Sequence, residues 1–156
     1  MPAISKSGYH FPNRMARSFL LALEEVTGKN GVSAVLNLAG LSSWVDHFPA
    51  DDMDPGVDFA EVAAIHSALE EVYGARAGRA FSRRSAAAML HAWNRVPPLA
   101  DVLAGGTPPT LTQALAALAD AISQTSDETC SASEAPDGVI FTVTRCPVCW
   151  GRSTTR

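Results

Sequence analysis

From Pro12 to Ile122 the apolar residues of this chain recur at three- and four-residue spacing, and past Ser126 the spacing drops to two. A helix repeats a face every 3.6 residues and a strand every second residue, so this one change of period puts helices first and strands last. Met15, Phe19, Leu23 and Val26 make the first stripe, opened by Pro12 in a first-turn position and closed by Gly28. Residues 32–41 are apolar on nearly every side, the pattern of a buried helix. Asp58 and Glu61 form a capping-box pair ahead of Val62, Ile65, Leu69 and Val72, and Gly74 ends that run. A fourth helix is predicted over 78–95, because Val96 precedes Pro97 and is pushed out of the helical region. Thr110 and Gln113 cap a fifth, with Leu111, Leu115, Leu118 and Ile122 as its buried stripe.

Beyond it, Val139, Phe141 and Val143 alternate with Ile140, Thr142 and Thr144, which is a half-buried strand. Pro136-Asp137-Gly138 signals a turn, so a weaker strand over 128–133 pairs with it as a hairpin in which Cys130 faces Val143. The expected fold is therefore α+β: a layer of about five helices followed by a C-terminal antiparallel β-hairpin. Residues 1–156 form one domain, and 127–156 are the hairpin and its tail. Its expected core is Phe19, Leu23, Leu36, Leu38, Ile65, Leu69, Leu115 and Leu118, packed on a hairpin face bearing Val139, Phe141 and Val143. Two strands are marginal alone, and the open edge predicts a homodimer or a larger assembly.

A hydrophobic fraction of 47% with 18% charged residues is globular rather than disordered. The net charge of -4 gives the surface as a whole no attraction for nucleic acid or anionic lipid. The start of the chain lacks the apolar core of a signal peptide, and the longest apolar run, 114–119, is far too short to span a bilayer. Three cysteines, two of them in Cys-x-x-Cys, suit a metal in a reducing cytoplasm better than a disulfide framework.

That motif is Cys146-Pro147-Val148-Cys149. Two thiolates three positions apart converge on one soft ion, and tetrahedral zinc is the usual occupant. A structural zinc needs four protein ligands, so Cys146 and Cys149 are half a site, and no Cys, His, Asp or Glu follows them. The remaining ligands would fold back from upstream or come from another subunit.

For a small hydrophobic ligand the candidates are His66, His91 and Trp93. His66 shares a helix side with Val62, Leu69 and Tyr73, while His91 and Trp93 sit on a helix whose apolar face carries Ala86, Met89 and Leu90. A polar tip and an aromatic beside an apolar pocket orient such a ligand, although core packing also accounts for each of them. Arg76, Arg79 and Arg83 form a stripe that reads either as a solvated face or as an anion site. Arg14 and Arg17, near the first helix's start, oppose its dipole and call for an acidic neighbour. There is no phosphate-cradling glycine loop, nucleophile elbow or His-Glu-x-x-His pair, so the residues favour a binding module over an enzyme.

Five stretches together resemble the 4-vinyl reductase domain family: Phe11-Pro-Asn-Arg-Met-Ala-Arg17, Leu23-Glu-Glu-Val-Thr-Gly28, Leu36-Asn-Leu-Ala-Gly-Leu41, Leu69-Glu-Glu-Val-Tyr-Gly74 and Cys146-Pro-Val-Cys-Trp-Gly-Arg152. The resemblance implies a helical layer against an antiparallel sheet, of which this chain would hold an incomplete version. It also implies a small-molecule sensor or carrier whose ligand is hydrophobic: aromatic, isoprenoid or tetrapyrrole. An enzyme or enzyme subunit of (bacterio)chlorophyll synthesis, or a truncated interaction module, are the alternatives it leaves. In the family the pattern continues past Cys-Pro-x-Cys with a glutamate and more cysteines that complete a zinc site, and this sequence has no counterpart to them.

Overall fold

A computed structural model describes residues 4–147, and its two longest elements each run through a glycine. The order is β1 (His10–Phe11), α1 (Asn13–Leu38), a 3-10 turn (Ser42–Trp44), β2 (Val57–Asp58), α2 (Phe59–Trp93), α3 (Leu99–Leu103), α4 (Leu111–Thr125), β3 (Cys130–Ala135) and β4 (Gly138–Val143). The class is α+β with a C-terminal antiparallel hairpin, as expected, but four helices stand where about five were predicted. The predicted helices fall on α1, α2 and α4, two of them meeting at Gly28 and two at Gly74, where the backbone leaves the helical region (φ 73°, ψ 168° and φ 80°, ψ 154°) while helix resumes at once on the far side; α3 is the fourth. Only glycine reaches such angles without steric cost, so each stripe stops there as expected and the next helix starts with no intervening loop.

At Gly74 the bend is a reversal. His66 Nδ1 and Ser82 Oγ are 2.9 Å apart, and the Tyr73 and Phe81 rings meet edge to face at 4.9 Å. In a straight helix sixteen residues would separate the first pair by roughly 24 Å. The two halves of α2 therefore lie against each other. Gly78 makes the approach possible, since a Cβ there would meet Leu69 O and the Glu70 backbone at 2.7 Å.

Each helix start is built from what the sequence offers. Pro12 contributes no side-chain cap to α1, so the exposed N–H groups of Asn13 and Arg14 donate instead to the carbonyls of Asp54 (3.0 Å) and Asp52 (2.8 Å). The Arg14 guanidinium meets Asp51 at 2.8 Å, the acidic neighbour it required, and Arg17 donates to the Pro49 carbonyl of the same turn. The capping boxes at Asp58–Glu61 and Thr110–Gln113 both form as read. The short pair β1–β2, with His10 opposite Asp58 and Phe11 opposite Val57, ties the start of α1 to the start of α2. Neither β1–β2 nor α3 was predicted, because two to five residues carry no periodicity.

Two apolar clusters fill the interior. One joins Phe19, Leu20, Leu23, Val32, Val35 and Leu36 of α1 to Ile65 and Leu69 of α2; the other gathers Phe11, Met15, Phe59, Trp93, Val96 and Leu99 with Ala117 and Ala121 of α4. The main core is thus helix on helix, not helix on hairpin as predicted. The hairpin packs on α4 through β3. Its register is the expected one, Cys130 opposite Val143 through Ala135 opposite Gly138. Phe141 and Val139 are half-buried, whereas Val143 stays 40% exposed. The α4 stripe is corrected too: Leu111 is exposed, Leu115 and Leu118 are half-buried, and Ala117, Ala119 and Ala121 are the covered residues. With α3 on one side and β3 on the other, α4 is covered on more than one face, and its short side chains disappear while leucine tips still reach solvent. No helix among the described residues is long and apolar enough to cross a membrane.

Candidate functional site

Folding α2 back on itself leaves a space that neither half could enclose alone. A cavity of about 250 Å³ lies between both halves of α2, the start of α1 and the end of α4. Phe11, Ala16 and Phe19 form one wall; Val62, Ile65 and His66 come from the first half of α2, and Ala86, Met89, Leu90 and Trp93 from the second. Ile122, Glu128 and Pro147 close it from the hairpin side. Except for His66 and Glu128, the lining residues carry apolar or aromatic side chains. Convergent polar tips in an apolar cavity are the usual make-up of a small-molecule site.

His66 is 8% exposed, with its ring tilted against Phe19 at 5.0 Å between centroids and Nδ1 held by Ser82. Ser82 does not line the cavity, so this pair orients the imidazole rather than presenting a nucleophile to whatever enters. Trp93 is buried and faces the same space. Two of the three predicted ligand contacts, 27 residues apart in sequence, are thereby brought together. His91 is not one of them. It is exposed and lines a separate, polar depression with Arg14, Arg17, Asp51 and Arg95. The reason is helical geometry: residues two apart are turned by roughly 200°, so His91 and Trp93 cannot serve one face. The Arg76, Arg79 and Arg83 stripe is solvated, all three side chains being exposed.

Glu128 was not anticipated. It precedes β3, and its position follows from the ties at the base of the hairpin. Asp127 N–H donates to His10 O (3.0 Å), His10 N–H donates to Asp127 Oδ2 (2.7 Å), and Arg145 stacks over the Tyr9 ring at 4.2 Å while donating to Asp127 O. These bonds pin the strand entry to β1 and leave the next side chain at the cavity. Burial pushes the Glu128 carboxyl up to about 7, against an opposing hydrogen bond from Ser126. Burial first, then the proximity of Glu128 and Cys146, raises the Cys130 thiol to about 11. Cys130 therefore stays protonated at neutral pH and is a poor nucleophile.

The Glu128 shift has a consequence for stability. Its folded carboxyl titrates above the ordinary value of 4.5, so between about 4.5 and 7 the native state binds more protons than the unfolded chain. Stability must then fall as pH rises through that window, by on the order of 3 kcal/mol at most and less where water reaches the carboxylate. Glu128→Gln should remove this slope, gaining over the natural chain from pH 4.5 to 7 and staying level above it. Parallel urea titrations of both proteins across that range check it; equal slopes would show that Glu128 is solvated.

Of the predicted zinc ligands, Cys146 is half-buried beside the cavity's Pro147, and Cys149 lies outside the described residues. Among the described residues no three His, Cys, Asp or Glu side chains gather to hold a metal ion. The described part of one chain therefore does not complete a zinc site. Compared with known proteins, the chain matches no family, no curated protein and no solved structure.

Proposed function

We propose that this chain is a small-molecule binding or sensing module whose ligand is compact and hydrophobic, working in the cytoplasm as a relative of the 4-vinyl reductase domain. The observation that carries this reading is the cavity itself, apolar and aromatic on nearly all sides, with His66 and Glu128 as its polar contacts. Its volume narrows the ligand. About 250 Å³ sits just below the usual range of ligand sites, and roughly 150 Å³ is enough to admit benzene. A one-ring aromatic or a short isoprenoid fits these dimensions, whereas a tetrapyrrole macrocycle does not.

Titration with toluene, indole and a five-carbon isoprenoid alcohol, followed by amide chemical shifts, tests this. Saturable shifts should centre on Val62, Ile65, Met89 and Trp93. Shifts that never saturate, or that scatter over the surface, would remove the cavity as a binding site. Recovery of the ligand unchanged after incubation with a reductant supports a sensor, and turnover supports the enzyme.

Association and zinc belong to the same proposal. Ile140 is 56% exposed on one face of β4 and Val143 40% exposed on the other, on an edge that has no further strand among the described residues. Pairing of two chains there would cover that surface and let Cys146 and Cys149 from both chains supply four thiolates. The expected stoichiometry is about one zinc per two chains. Metal analysis and light scattering on protein purified without chelator decide it. A monomer at all concentrations, or one zinc per chain surviving Cys149→Ser, would overturn this arrangement.

A further inference from the structure

Glu128 is the acidic side chain of a cavity that, among the described residues, no lysine or arginine lines. The residues that share the cavity with it are apolar or aromatic, Phe11, Phe19, Trp93 and Ile122 among them. Among the described residues, the titratable groups near it are few. α2 brings His66 to the same cavity, its Nδ1 engaged with Ser82; β3 carries the Cys130 thiol, near both Glu128 and Cys146, and Cys146 adjoins the cavity's Pro147; α1 and α4 bring apolar side chains to this space. Nearby Asp127 is turned toward His10, and the Arg145 guanidinium is committed to Tyr9 and the Asp127 carbonyl. A carboxylate among apolar walls is costly until a cation joins it, and aromatic faces attract a cation in their own right.

Resting on the binding-module reading above, we infer that the cavity selects a ligand with a compact apolar body and a basic nitrogen, its ammonium seated on the Glu128 carboxylate. The ammonium donates charge-assisted hydrogen bonds to that carboxylate, the ring or alkyl body fills the space beside Phe19 and Trp93, and His66 is the second polar group of the lining. Binding draws Glu128 into its ionised form, so affinity for the amine must rise with pH while the nitrogen itself stays protonated.

The test uses 2-phenylethylamine and its neutral counterpart 2-phenylethanol, which have the same shape and differ in charge. Calorimetric titration at pH 8 should show the amine binding about tenfold tighter than the alcohol, and Glu128→Gln should erase that ratio. The natural chain supplies an independent reading should the variant fold poorly: amine affinity should climb between pH 5.5 and 8, and alcohol affinity should not. If the alcohol binds as well as the amine, or the ratio persists in Glu128→Gln, the inference falls and the apolar cavity stands. If neither compound binds, both readings fall together.

Discussion

Replacing Asp58 with alanine will cost about 2–4 kcal/mol of stability, more than a helix cap alone accounts for. Asp58 is 2% exposed, and its carboxylate accepts from the Ser7 N–H (2.9 Å), the Ser7 hydroxyl (2.8 Å), the Gly8 N–H (3.1 Å) and the Ala60 N–H (2.8 Å). Its own N–H donates to Glu61, completing the capping box. One side chain thus caps α2 and anchors the segment that leads into β1. Alanine would strand buried donors on both. Desolvation acts to raise this carboxyl, but the hydrogen bonds from Ser7, Ala60 and Gly8 outweigh it and hold the group down at about 2. A depressed carboxylate stabilises the native state above its unfolded value of 3.8, and that contribution is lost as pH falls from there toward 2. Urea titration gives the loss directly. The natural chain should weaken steeply below pH 4, and Asp58→Ala should weaken less in that range. Equal acid sensitivity of the two would show that the carboxylate is not the group responsible.

Leu69→Ala should be the most damaging apolar truncation, at about 2–5 kcal/mol. Leu69 is wholly buried, in the cluster where α1 crosses the first half of α2. Gly78 of the returning half presses on the Leu69 carbonyl, so the backbone around it has little room to collapse into the space vacated. The cost should therefore sit in the upper part of that range. Leu111→Ala, on a side chain 65% exposed, should cost little beside it. Comparable losses at the two positions would mean that the core lies elsewhere.

Much of this molecule was readable one residue at a time, because the signals involved are local. Capping boxes act over three residues, and both formed. A strand alternates within its own length, and a turn at 136–138 sets which residue faces which; Cys130 opposite Val143 followed from nothing else. Glycine marked the two places where helix could not continue straight. The demand of Arg14 for an acidic partner was also legible, and Asp51 meets it at 2.8 Å.

What the chain does at a glycine is not local. Gly28 and Gly74 could have opened into loops between separate helices. Packing decided that each is instead a single-residue break between two abutting helices, and that the second half of α2 returns along the first to place Ser82 beside His66. The hairpin's role went the same way. Alternation made Val143 look inward, but a strand's covered face depends on which element lies over it, and α4 covers β3 more than β4. His66 and Trp93 had to wait for that folding to share a cavity. His91 did not, since a turn of roughly 200° from Trp93 already separates them on any helix.

Glu128 marks the limit most plainly. Nothing in Asp127-Glu-Thr-Cys130 distinguishes the glutamate from any solvated one at a strand entry. Its character comes from Asp127 being tied to His10, more than a hundred residues earlier in the chain, which leaves the next carboxyl against apolar walls. Helix, strand, cap and bend follow from short-range sterics and hydrogen bonding, and sequence carries those openly. Desolvation depends on which distant surfaces close around a group, and only the tertiary structure sets that.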